Sequence, residues 1–254
     1  MSGHSKWATI KRKKGAADAR RGQLFTKLTR EIMMAAKEGG GDPEANFRLR
    51  LAVQKARGEN MPVDNIQRAI QRGTGTGADG GAAYEEIMYE GYGPHGVAFL
   101  VQALTDNRNR TVAEVRSIFT KMGGSLGEAG SVGWIFEPHG LIVVEPKQGD
   151  DPDELTLAAI DAGAEDVTNL EEGQLEIVTG FEDFKHVQDA LTAAGIQVTN
   201  AERTMVPKTT MALDDKGMEQ ILRMMERLED LDDVQVVYTN LDLTGAEELM
   251  ASLS

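Results

Sequence analysis

The sequence predicts an α+β protein of several domains: an N-terminal three-helix bundle followed by two α/β-sandwich, ferredoxin-like domains, the third inserted into the second. Three observations predict it. Apolar residues between 24 and 72 recur at three- and four-residue spacing, the period of amphipathic helices. A glycine-rich stretch at 73–81, with glycine at 73, 75, 77, 80 and 81, then changes the pattern. Beyond it strand and helix signals alternate, and residues 141–206 run in the order βαββαβ, a ferredoxin-like signature. A chain of 254 residues also exceeds the usual size of one domain.

The head reads as three helices. In the first, Leu24, Leu28, Ile32, Ala35 and Ala36 form an apolar stripe with Phe25 beside it. At about 100° per residue Arg20, Lys27, Arg30 and Lys37 gather on the opposite face, while Arg21 falls within the stripe near the helix start. Gly39-Gly40-Gly41 ends this helix, and Asp42-Pro43 reads as the N-cap and first residue of a second, extending to about Arg57 with apolar residues on two sides. Pro62 and Asp64 open a third, with Ile66 and Ile70 inward and Arg68 and Arg72 outward, stopped by Gly73. The glycines that follow read as a hinge. A phosphate-binding loop is the sharper alternative, but no strand precedes the glycines and no Gly-Lys-Ser/Thr follows them.

Residues 84–90 and 97–104 read as strands of a hairpin turned by Gly91-Tyr92-Gly93-Pro94-His95-Gly96. Thr111 and Glu114 form a capping box for a helix with Val112, Val115, Ile118, Phe119 and Met122 on one face, and a strand is expected at 132–137. The βαββαβ unit follows, with strands at 141–145, near Val167, at 175–179 and at 196–206, and helices at 152–162 and 182–194. A last helix carries Met218, Ile221, Leu222, Met225 and Leu228 inward, before a strand at 234–238. That helix and strand supply what the earlier hairpin, helix and strand lack. The expected domains are therefore 1–75, then 82–137 together with 207–240, with 138–206 inserted.

Charge separates along the same boundaries. Residues 1–72 hold 16 Lys and Arg against 7 Asp and Glu, a balance of +9, whereas 73–254 hold 11 against 34, a balance of −23. A pI near 4.8 for the whole chain thus hides a compact cationic module. The absence of cysteine excludes disulfides, thiolate metal sites and cysteine nucleophiles. No apolar run approaches the ~20 residues that span a bilayer. The expectation is a cytoplasmic protein without a membrane partner; the Arg-rich start also has a faint likeness to an organelle presequence.

Enzyme constellations are hard to find. His4, His95, His139 and His186 lack metal-ligand spacing, and no nucleophile-elbow, His-x-x-x-His or Walker motif is present. The carboxylates sit where turns and helix starts favour them, so the chain reads as non-enzymatic and without cofactor. An anion-binding enzyme, a hydrolase included, is retained as a third class.

The run Lys6-Trp7-Ala8-Thr9-Ile10-Lys11-Arg12-Lys13-Lys14 carries more information. Four consecutive cations beside an indole combine counterion-releasing phosphate contact with a flat surface for stacking. The plain alternative is a solvated basic tail with a core tryptophan. Arg20, Arg21, Lys27 and Arg30 extend the patch onto a helix, which favours nucleic acid. A second candidate lies at 105–111, where Arg108 and Arg110 stand near a helix N-terminus that attracts anions. Two readings stand side by side there: phosphate binding, or a turn made by Asp106, Asn107 and Asn109 whose arginines neutralise neighbouring acids.

Gly3-His4-Ser5-Lys6-Trp7, Lys13-Lys14-Gly15-Ala16, Asp18-Ala19-Arg20-Arg21-Gly22, Phe25-Thr26-Lys27-Leu28, Glu31-Ile32, Met61-Pro62, Gly91-Tyr92-Gly93-Pro94, the 105–111 segment and Gly133-Trp134-Ile135-Phe136 together resemble the YebC family over nearly the whole chain. The resemblance implies three domains, a helical head and two α/β domains, in a family described as DNA-binding transcriptional regulators. It also implies kinship with mitochondrial translational activators and with bacterial members tied to ribosomes and to relief of stalling at proline-rich stretches. Thr9-Ile10-Lys11-Arg12-Lys13-Lys14 stands where the family usually has Asn-Ile-Lys-His-Arg-Lys, a change that keeps or raises the positive charge.

The resulting expectation is a nucleic-acid-binding regulator of gene expression. Lys6, Lys11, Arg12, Lys13, Lys14, Arg20, Arg21, Lys27 and Arg30 would hold phosphate, Trp7 would stack, and Arg108 and Arg110 would assist. DNA is the target by family resemblance. The alternative is an rRNA-associated translation factor whose acidic domains meet basic ribosomal proteins.

Overall fold

The computed structural model describes residues 17–76, 84–147, 150–170, 173–246 and 248–249, with the side chains of 17–20 outside that set. The head is built from α1 (Ala17–Gly39), α2 (Phe47–Gly58) and α3 (Val63–Gly73). The apolar stripe of α1 becomes its core. Leu28, Ile32, Ala35 and Ala36 meet Leu49, Ala52, Val53 and Ala56 of α2 and Ile66 and Ala69 of α3. Small residues let the helices close on one another: a Cβ at Gly73 would stand 2.3 Å from the Met33 carbonyl oxygen.

The second helix starts later than Asp42-Pro43 suggests. Asp42 instead closes a turn, its carbonyl accepting from Asn46 N at 2.9 Å. The buried Asn46 is the N-cap, its Oδ1 accepting from Leu49 N at 3.1 Å while its Nδ2 donates to the carbonyls of Ala35 and Gly40, each at 2.8 Å. One amide thereby ties the end of α1 to the start of α2, which a carboxylate at 42 could not do.

Two antiparallel four-stranded sheets follow. The first has the order β3-β1-β2-β8, from β1 (Glu85–Tyr92), β2 (Ala98–Thr105), β3 (Ser125–Leu126) and β8 (Val234–Thr239). Ile87 lies opposite Ala103, and Val101 opposite Val237. One face is covered by α4 (Arg108–Lys121) and α7 (Asp215–Glu229), through Val115, Phe119, Ile221, Leu222, Met225 and Leu228. The Phe99 and Phe119 rings meet edge to face at 5.8 Å. On the other face Ala98, Leu100 and Tyr238 pack on Val132, Ile135 and Phe136. Burial on both sides explains why β2 reads as a nearly continuous apolar run.

The second sheet has the order β5-β6-β4-β7, from β4 (Phe136–Glu145), β5 (Ala164–Asn169), β6 (Leu175–Gly180) and β7 (Gln197–Pro207), with α5 (Pro152–Asp161) and α6 (Phe184–Ala193) as its helices. This is the ferredoxin-like order, and the whole unit falls between β3 and β8 of the first sheet. Ile142, Val144, Leu155, Ala159, Ile177, Phe184, Val187 and Leu191 form its core.

Two expectations change at the junctions. The strand expected at 132–137 is a one-turn helix at Gly133–Ile135, because the Glu90 carboxylate accepts from the backbone of Gly130, Val132 and Gly133 and curls the chain there. Strand then begins at Phe136 and runs without interruption to Glu145, paired with β7 from Phe136↔Pro207 to Glu145↔Gln197. This ribbon has Phe136 in the core beside the first sheet and Ile142 in the core of the second. The predicted capping box also moves, since Asn107 caps α4 by accepting from Arg110 N at 3.1 Å, and Thr111 Oγ1 donates to Asp233 at 2.7 Å.

Candidate nucleic-acid interface

The predicted cations occupy different environments. Lys6, Trp7, Lys11, Arg12, Lys13 and Lys14 lie outside the described residues, as does the Arg20 side chain. Arg21 is exposed, its guanidinium 5.4 Å from the centroid of the Phe25 ring. Lys27 and Arg30 are engaged elsewhere. The Lys27 ammonium donates to the Glu229 carbonyl at 2.5 Å, and Gln23 one turn earlier donates to the Asp230 carbonyl at 2.6 Å. Arg30 donates to the Asp232 carbonyl and pairs with Asp233 Oδ1 at 3.0 Å, its side chain only 13% exposed. Its guanidinium also lies 5.5 Å from the Tyr84 ring centroid.

The partner of this face is the acidic turn that ends α7, Glu229-Asp230-Leu231-Asp232-Asp233. The last carbonyls of a helix lack intrahelical donors and carry the negative end of its dipole, so a cationic face suits them. The α1 face thus sits on an anion belonging to the same chain. Lys37 continues the contact by donating to the Tyr84 carbonyl at 3.0 Å, and Arg48 of α2 pairs with Glu86 at 2.9 Å while also holding Glu31 and Glu38.

Asp233 anchors the turn. It is 3% exposed, and its Oδ2 accepts from Thr105 Oγ1 at 3.1 Å, Thr111 Oγ1 at 2.7 Å and Arg110 at 2.7 Å. Burial opposes its charge, yet Thr111, Arg110, Arg30 and Thr105 together hold its carboxyl below the ordinary aspartate range. Arg110 also pairs with Asp106 at 2.9 Å, in the geometry of an acid-neutralising arginine, and Arg108 stays exposed at the first position of α4. The 105–111 segment therefore shapes a pocket for a carboxylate of its own chain.

Sequence reasoning missed Gln23, Arg48 and Asp233. Gln23 has no charge to signal it, and Lys27 meets a carbonyl 202 residues away. A further feature is aromatic: Trp134 is 67% exposed, and its Nε1 donates to the Ser131 carbonyl at 3.1 Å, which Tyr92 Oη also donates to at 3.1 Å. Between head, first sheet and second sheet lies a cleft of about 360 Å³, with Lys27 and Arg48 on one wall, Met88 and Gln102 on the second and Arg203 and Thr204 on the third. Among the described residues no group of three or more His, Cys, Asp or Glu could hold a metal ion, and no helix is long and apolar enough to cross a membrane.

These features define a class: a cationic helical head docked on an acidic body of two antiparallel sheet units. Comparison with known proteins agrees at the level of the whole chain. The family model described as the TACO1/YebC second and third domain matches residues 84–241, and that described as the TACO1/YebC N-terminal domain matches 5–76. The chain belongs to the TACO1/YebC family. A relative from Roseiflexus castenholzii is 59% identical over 96% of both chains, and one from Dictyoglomus turgidum 53% identical over 100% of both; each is named a probable transcriptional regulatory protein. The crystal structure of a conserved hypothetical protein from Aquifex aeolicus is similar with a TM-score of 0.80 and 44% identity, covering 89% of this chain and 92% of that one.

Proposed function

We propose that the protein regulates gene expression by holding nucleic acid on its basic head. The observation that carries this reading is the charge separation, +9 over residues 1–72 against −23 over the remainder, in a chain whose relatives are named probable transcriptional regulatory proteins. Lys6, Lys11, Arg12, Lys13 and Lys14 with Arg20 and Arg21 make the phosphate contacts, and Trp7 supplies a stacking surface. DNA is the first target. With about six phosphates engaged, log affinity falls against log salt with a slope near −4 to −5. Replacing Lys11, Arg12, Lys13 and Lys14 with Ala reduces affinity for a DNA duplex and flattens that slope by about 3. Unchanged binding at moderate salt removes the basic run from the mechanism.

A second reading, ribosome association, rests on the acidic body. A head that grips phosphate without reading bases suits rRNA, and a body with a balance of −23 suits basic ribosomal proteins, in the manner of a translation factor that relieves stalling. Cross-linking in cells followed by sequencing of the bound nucleic acid separates the two. Recovery of promoter DNA without rRNA leaves the first reading standing, and the reverse leaves the second.

A further inference from the structure

We infer that the acidic turn at 229–233 is a built-in competitor for the head, so that the protein exchanges a closed state, with α1 docked on the turn, for an open state in which Lys27 and Arg30 hold nucleic-acid phosphate. The inference rests on the nucleic-acid reading above and concerns the regulation of that same surface. Three observations support it.

The first is chemical likeness. The groups that Gln23, Lys27 and Arg30 contact are the carbonyl oxygens of residues 229, 230 and 232 and the carboxylates of Asp232 and Asp233, a cluster of acceptors that makes the same demands on a cationic face as a phosphate backbone does. Both cannot occupy that face together.

The second is that the exchange leaves little uncompensated. When Arg30 departs, Asp233 keeps Arg110, Thr105 and Thr111, so no buried carboxylate is stranded. The carbonyls at 229, 230 and 232 belong to a helix end and turn, where water replaces the lost donors. Arg30 itself gains: its Nε is buried with no hydrogen-bond partner among the described residues, and a phosphate offers oxygens on every side.

The third is mechanical. The head meets the second sheet unit mainly through apolar side chains, Leu51 lying within that unit's core and the Phe47 ring 5.4 Å from the Phe184 ring, with an ion pair beside them, Lys55 to Glu202 at 2.6 Å. Its contact with the first sheet unit is chiefly polar and ionic, with Tyr84 the apolar side chain that packs on the head's core. The two sheet units are joined by the β4–β7 ribbon, and the three-way cleft already separates them on the side facing α1. Head and second unit can therefore turn together about the ribbon, opening the ionic seam while the apolar one stays closed.

The native chain has no cysteine, which makes the test clean. A Gln23→Cys, Asp230→Cys protein, bridged by a short bismaleimide, is locked closed, and the same protein left unbridged has identical charge and is the control. Against a fluorescent DNA duplex at moderate salt, the bridged form is expected to bind about tenfold more weakly, with a salt slope shallower by about 1.5 to 2 because two phosphate contacts are lost. Equal affinity and equal slope overturn the competition while leaving nucleic-acid binding intact. No binding by the unmodified protein overturns the proposed function, and the competition with it. A second measurement uses the unmodified chain: saturating duplex should suppress zero-length carbodiimide coupling of Lys27 to the carboxylates at 229–233. Undiminished coupling counts against the open state.

Discussion

The head is fastened to the rest of the molecule by two seams of different balance, one chiefly apolar with an ion pair between Lys55 and Glu202, the other chiefly polar and ionic. Against the second sheet unit it places Phe47 and Leu51 into an apolar core, whereas against the first it places Gln23, Lys27, Arg30, Lys37 and Arg48 onto carbonyls and carboxylates. Burial of apolar surface is indifferent to modest salt, whereas ion pairs are screened by it, the buried Arg30–Asp233 pair less than its more exposed neighbours. The apolar seam therefore sets position and the ionic seam sets occupancy.

The comparison breaks most visibly at the apolar seam. Leu51→Ala removes a buried side chain shared by head and second unit and should cost about 3 kcal/mol in chemical denaturation, with little dependence on salt. A salt-dependent loss would put the two seams in the same class. Next in size is Asp233→Asn, which weakens a carboxylate held by two hydroxyls and two arginines and should cost about 2 kcal/mol at neutral pH. Because folding lowers the Asp233 pKa, its contribution is complete above the unfolded value of about 3.9 and is lost as pH falls through the folded one. The gap between wild type and variant should accordingly close on acidification in that window; a gap that persists at lower pH assigns the loss to packing. The smallest effect belongs to Lys27→Ala, about 0.5 kcal/mol and fading as salt rises, read by protease nicking at the head–turn contact. A nicking rate that is high at low salt and unchanged by added salt would sink the ionic description.

Much of this architecture is legible in the sequence. The α1 stripe, the inward faces of α3 and α7 and the βαββαβ order follow from periodicity, because each helix and strand buries one face against neighbours that repeat the same spacing. The departures lie where a side chain reaches beyond its own element. Asn46 displaces Asp42-Pro43 as a cap by satisfying three backbone groups at once, Glu90 bends 130–133 out of strand geometry, and Thr111 turns from the helix end toward Asp233. The same limit governs the candidate site. Periodicity places Lys27 and Arg30 together on one face of α1, but which group that face meets is decided by a turn some two hundred residues away. Charge composition marks both partners without pairing them.

The β4–β7 ribbon also bears on the order in which the chain folds. Strand β8 must find β2 across a long stretch of sequence, a pairing whose cost grows with the loop it closes. The inserted unit contains its own sheet, and its two ends lie side by side at Phe136 and Pro207. Once it has formed, those ends enter the first sheet as neighbours and the loop that β8 closes is shortened by the whole insertion. Early completion of the second sheet thus lowers the entropic barrier to the first.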